Sequence, residues 1–100
     1  MREDRQRLDK WLWFARFVKS RTLAAKLISD GFVRVNGQRA ETPAKAIAVG
    51  DVITVAVART TAVVRVEGLG TRRGPAPEAQ RLYRDLGRDD GALVTGPAKG

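Results

Sequence analysis

The chain contains no cysteine and no histidine. That excludes a disulfide framework, a thiol nucleophile, an imidazole base and any metal site built on sulfur or ring nitrogen. Carboxylates and hydroxyls remain, a short list for a catalyst, so neither an enzyme nor a cofactor is expected. Long apolar runs are missing too. The longest, 52–58, is interrupted by Thr54 and is far too short to cross a bilayer. The charged start Met1-Arg2-Glu3-Asp4-Arg5 leads into no apolar segment, so no signal peptide is read. The expectations are a cytoplasmic protein with no membrane partner. Acidic residues are scarce: 11 Asp and Glu stand against 19 Lys and Arg, a formal charge of +8. Such a field attracts a polyanion, with nucleic acid first, an anionic membrane second and an acidic protein third.

What is present is material for one domain with a single core, 100 residues of which 43% are hydrophobic. Leu8, Trp11, Leu12 and Ala15 recur at helical spacing and predict a first helix over 8–17, with Asp4 as N-cap and Asp9 near the first turn. Trp11, Trp13, Phe14 and Phe17 read mainly as packing residues. After a break at Lys19-Ser20, Leu23, Ala24, Leu27 and Ile28 predict a second helix, capped by Ser20 and closed by Gly31 in a left-handed conformation.

From Phe32 the pattern changes to strands. Residues 32–35 are followed by Asn36-Gly37, a hairpin turn, and a return strand over 38–41. Residues 52–58, with Ile53, Val55 and Val57 on one face, and 62–67 form two further strands. A Gly/Pro/Arg-rich connector, 68–77, leads to a last short helix over 77–86 carrying Ala79, Leu82, Tyr83 and Leu86 on one side. The fold class is therefore α+β: two N-terminal helices packed on a small twisted antiparallel sheet, plus a short C-terminal helix. Residues 1–87 form one domain, with a core motif over 7–53 and an extension over 54–87. Residues 88–100 are expected to be a flexible tail.

The first 31 positions hold eight cations and four acids. Arg16, Lys19 and Arg21 converge on the corner between the helices. Guanidinium forks and helix-start amides at such a corner suit phosphate oxygens. One Arg there would be a solvated charge or a cap for the first helix. Three, with +8 behind them, favour phosphate contact.

Arg7-Leu8-Asp9-Lys10-Trp11-Leu12, Arg16, Lys19-Ser20-Arg21, Ala24, Ile28, Gly31, Val33, Val35-Asn36-Gly37, Lys45 and Val49-Gly50-Asp51-Val52-Ile53 together resemble the RNA-binding domain named after small-subunit ribosomal protein four. The run 10–17, with Arg72-Arg73-Gly74-Pro75-Ala76, Glu78-Ala79 and Leu82-Tyr83, is further similar to the bacterial fifteen-kilodalton heat-shock proteins. That resemblance implies a small ribosome-associated protein. It would bind structured ribosomal RNA on free large subunits that still carry peptidyl-tRNA, and aid their recycling after stress. A monomer is expected. The family commonly has a longer lysine-rich tail, whereas this sequence stops at Pro97-Ala98-Lys99-Gly100.

Carried over by position, the implied RNA-facing residues are Arg7, Lys10, Arg16, Lys19, Ser20, Arg21 and Lys26, flanked by Gln38, Arg39 and Lys45. Arg72 and Arg73 are placed either on a second RNA segment or in a solvated linker. Asp9 is read as a structural carboxylate that orients a neighbouring Arg or caps backbone. Two rivals remain. Such domains also occur as appendages of RNA-modifying enzymes such as pseudouridine synthases, and two helices joined by a short turn can imitate a DNA-binding module.

Overall fold

A computed structural model describes residues 5–57 and 60–89. In chain order the elements are β1 (Gln6–Arg7), α1 (Leu8–Phe14), α2 (Arg21–Ser29), β2 (Val33–Val35), β3 (Gln38–Arg39), β4 (Ala46–Ile47), β5 (Val52–Val57), β6 (Thr60–Val66), α3 (Ala76–Ala79), a 3-10 turn (Gln80–Leu82) and β7 (Tyr83–Asp89). Five strands form an antiparallel sheet in the order β3-β2-β5-β6-β7, and β1 pairs with β4 in a separate ribbon. The two helices cover one face of the sheet, as the α+β reading expects. Between them lies one core. Leu8, Trp11, Leu12, Ala24 and Ile28 come from the helices, and Val33, Val35, Ile53, Val55, Val64 and Val66 from the strands.

The helical stripe of α1 is buried as its spacing demands, but the helix ends at Phe14 rather than position 17. Arg16 turns left-handed at φ +66°, the Phe17 amide donates to Leu12 O at 3.0 Å, and the Arg16 amide donates to Trp13 O at 3.1 Å. This pair of bonds is the Schellman stop, normally built on glycine. The link between the helices therefore runs over 15–20 and is not a two-residue break. α2 closes the same way on Gly31 (φ +89°), with the Phe32 amide on Leu27 O and the Gly31 amide on Ile28 O. Here the expected glycine is in place. Ala24 and Ile28 of α2 are buried, while Leu23 stays 44% exposed and Leu27 packs only partly against the core.

Asn36 (φ +53°) and Gly37 (φ +84°) form the predicted turn. The Asn36 side chain accepts from the Val52 amide at 2.8 Å and so extends the pairing of β2 with β5. The start of α1 departs from expectation. Arg7, not Asp4, stands at the N-cap position, and Asp4 lies outside the described residues. The first amides of α1 are satisfied by distant chain: Leu8 donates to Lys45 O at 2.9 Å and Asp9 to Pro43 O at 3.1 Å.

The last helix is shorter than predicted. After one turn at Ala76–Ala79 and the 3-10 turn, residues from Tyr83 onward pair with β6, Tyr83 opposite Val66 and Arg84 opposite Arg65. The apolar spacing of Ala79, Leu82 and Tyr83 fits a helix. An unfilled edge on β6 offers a ladder of backbone hydrogen bonds, and the ladder wins. Strand β7 runs through Asp89, past the expected start of the tail, and 90–100 lie outside the described residues.

Candidate nucleic-acid interface

The buried carboxylate of Asp9 organises the cationic corner. Its side chain is 5% exposed. It accepts from Arg7 Nε at 3.1 Å and Arg7 Nη2 at 3.0 Å, and from the Lys10 amide at 2.7 Å. Arg21 Nη2 approaches it at 3.7 Å. Arg7 precedes α1 and Arg21 opens α2, so one carboxylate holds two guanidinium groups across the starts of both helices. The hydrogen bonds to Asp9, then its charge, push the Arg7 guanidinium above its ordinary pKa. Both arginines keep about half their side-chain surface in solvent (51% and 43%). Both therefore keep donors open to solvent beside a common carboxylate, which suits the fork geometry of phosphate recognition. The Lys45 backbone borders this rim, since its carbonyl caps Leu8 and β4 pairs with β1.

Not all the helix-start amides at the corner are open to phosphate. Those of α1 are taken by Pro43, Lys45 and Asp9. In α2 the Ser20 hydroxyl accepts from the Leu23 amide at 3.2 Å, which makes Ser20 the predicted N-cap.

The other predicted residues fall into separate places. Arg16 points to the extension, with Nε donating to Gly74 O at 2.6 Å. Arg73 reaches back, Nε to Trp13 O at 3.2 Å and Nη2 to Val18 O at 3.3 Å. It caps the carbonyl end of α1, a structural role that linker composition does not reveal. Arg72 pairs with Glu78 at 2.7 Å on the surface. Lys26 pairs with Asp30 at 3.2 Å one helical turn on. Lys10 lies along Phe14, its Nζ 5.9 Å from the ring centroid. Lys19 borders an apolar patch of Phe17, Val18, Leu23 and Leu27. Gln38 and Arg39 sit on β3, beyond the far end of α2 and about 12 Å from Arg21 along that helix.

Arg34, exposed on β2 between two buried valines, escaped the sequence reading. Its signal was the alternation Val33-Arg34-Val35. Among the described residues, no helix is long and apolar enough to cross a membrane.

Comparison with known proteins follows the same line. The S4 domain family matches residues 6–53. The chain is 40% identical over 85 residues to a heat shock protein 15 homolog of Haemophilus influenzae, which covers 85% of this chain and 64% of that protein. It is 42% identical over 79 residues to heat shock protein 15 of Escherichia coli, covering 79% of this chain and 59% of the relative. The chain thus spans about three fifths of the length of these relatives. A trimeric structure of Vibrio cholerae heat shock protein 15 superposes with a TM-score of 0.77 at 44% identity, covering 81% of each chain.

Proposed function

The chain belongs to the heat shock protein 15 family and carries an S4 domain, and from that premise we propose that it binds structured RNA without catalysing a reaction. The partner in this reading is ribosomal RNA of free large subunits that still hold peptidyl-tRNA, and the role is to aid their recycling after stress. The observation that carries it is the pair Arg7 and Arg21 fastened to one buried carboxylate. Two guanidinium groups with fixed spacing fit phosphates whose separation is set by a folded RNA, so shape is read rather than base sequence. A DNA-binding module is disfavoured, because the six-residue link over 15–20 exceeds the 3–4-residue turn of a helix-turn-helix. The trimeric relative stands against the monomer expected from sequence. The reading needs one chain only, since every residue of the rim comes from the same protomer.

Sedimentation of lysates on a density gradient tests it. The protein should travel with free large subunits more than with intact ribosomes or small subunits, and more so after stress that splits translating ribosomes. The double substitution Arg7→Ala and Arg21→Ala should move it to the top. Equal association with small subunits would remove the recycling role, and no association at low salt would remove the RNA reading.

A further inference from the structure

The outer face of the five-stranded sheet, turned away from both helices, takes no part in the interface above. Its composition follows from register. Val33 and Val35 point into the core, so Phe32 and Arg34 point outward. Arg34 stands opposite Arg39 on β3 and Thr54 on β5. One pleat further along, Val52 of β5 stands opposite Arg65 of β6, which stands opposite Arg84 of β7. Neighbouring strands lie about 4.8 Å apart, so these guanidinium groups are distributed over about 19 Å from β3 to β7.

Several of these side chains are held in place. Arg34 Nη1 donates to Gly37 O at 3.4 Å and Arg39 Nη2 to Ser29 O at 3.5 Å. The Arg39 guanidinium lies so close over Gly31 that a Cβ there would stand 3.0 Å from it. Arg65 is paired on this face with Glu67 at 3.2 Å. Phe32 is 49% exposed although its carbonyl is fixed by the Ala56 amide at 2.9 Å. A solubilising charge would explain the arginines but not the half-exposed ring one pleat from Arg34.

We propose that this face is a second nucleic-acid surface that takes an unpaired stretch of RNA. Phe32 is its stacking platform, and Arg34, Arg65 and Arg84 hold the phosphates. An aromatic ring standing on a sheet stacks only on a base that has left its helix, and guanidinium planes extend the platform. Charge complementarity selects the polyanion, and the ring selects the single strand. The inference does not depend on the helical corner. The two surfaces lie on opposite sides of the core, so one chain bridges a folded RNA element and a loose strand beside it.

Two probes separate the surfaces in the full chain: a uridine oligomer of about 12 nucleotides and a fully paired RNA hairpin. Arg34→Ala combined with Arg84→Ala should weaken the oligomer by about tenfold at low salt while leaving the hairpin within about twofold. Arg7→Ala combined with Arg21→Ala should do the reverse. Phe32→Trp provides a second reading, since Trp11 is buried and Trp13 is half-buried. The new indole should be quenched by the oligomer. A sheet variant that binds the oligomer as the parent does, equal loss of both probes, or an unquenched Trp would overturn the proposal.

Discussion

Arg16 holds a backbone position that helices commonly give to glycine. Its φ of +66° costs an L-residue about 1–2 kcal/mol, and its bond to Gly74 O returns about 1.5 kcal/mol or more. The two substitutions at this site therefore differ. Arg16→Ala keeps the strained backbone and loses the bond, and should lower stability by about 1–2 kcal/mol. Arg16→Gly loses the bond but relieves the strain, and should stay within about 0.5 kcal/mol of the parent. Urea denaturation separates them, and equal losses would show that the left-handed turn carries no strain. Asp9 supplies the second case. Asp9→Asn adds a unit of positive charge, so simple electrostatics raises RNA affinity. If the carboxylate acts by orienting Arg7 and Arg21, affinity falls instead, and stability falls with it by about 1–3 kcal/mol. Binding isotherms for a structured RNA at fixed salt decide between these outcomes.

At the scale of elements, the connector between β6 and α3 is the unexpected piece. Gly, Pro and Arg read as loose chain, yet α1 and its flanks grip the segment at four points. The Gln6 amide exchanges two hydrogen bonds with the Gly70 backbone at 2.7 and 3.1 Å. Trp11 Nε1 donates to Gly68 O at 2.9 Å, while Arg16 and Arg73 complete the set. Tyr83 then packs edge-on to Trp11 and tilted against Phe17, with ring centroids 6.5 and 4.9 Å away. Gly70 is needed there because an added Cβ would stand 2.6–2.9 Å from the Phe14 side chain. Gly70→Ala should cost about 1–3 kcal/mol through overpacking. Arg73→Ala should cost about 1–2 kcal/mol through the hydrogen bonds lost at the Trp13 and Val18 carbonyls. Arg72→Ala, which breaks only a surface pair with Glu78, should change stability by less than about 0.5 kcal/mol. Thermal melts of the three variants check the ranking. Equal melts for Arg72→Ala and Arg73→Ala would mean that the strap is not stabilising.

For the whole molecule, the charge of +8 sets the range of RNA attraction and the fixed corner sets its footprint. Each phosphate neutralised adds about 0.7–0.9 to the slope of log affinity against log salt. A corner of Arg7, Arg21 and Lys45 predicts a slope near 2.5 in magnitude for a hairpin RNA, with about 1 lost on Arg21→Ala. A flat salt response would contradict an electrostatic footprint altogether. The same charge lies over both faces of the sheet, so the slope for a long RNA with an unpaired flank should exceed that for the hairpin alone.

Local pattern carried much of this in advance. Helical spacing located the α1 stripe, Gly31 and Asn36-Gly37 located two reversals, and the excess of Lys and Arg pointed to a polyanion. These features depend on neighbours within a few residues, where backbone geometry and side-chain type decide the outcome. The rest depended on contacts far apart in sequence. Arg16 took a glycine's place because Gly74, 58 residues away, accepts its Nε–H. The predicted last helix gave way to β7 because β6 had an open edge. Arg73 reaches the Trp13 and Val18 carbonyls because folding brings it beside the end of α1. A guanidinium serves phosphate or backbone equally well, so residue type alone cannot assign it. Which acceptor lies within reach is settled only when the chain has folded.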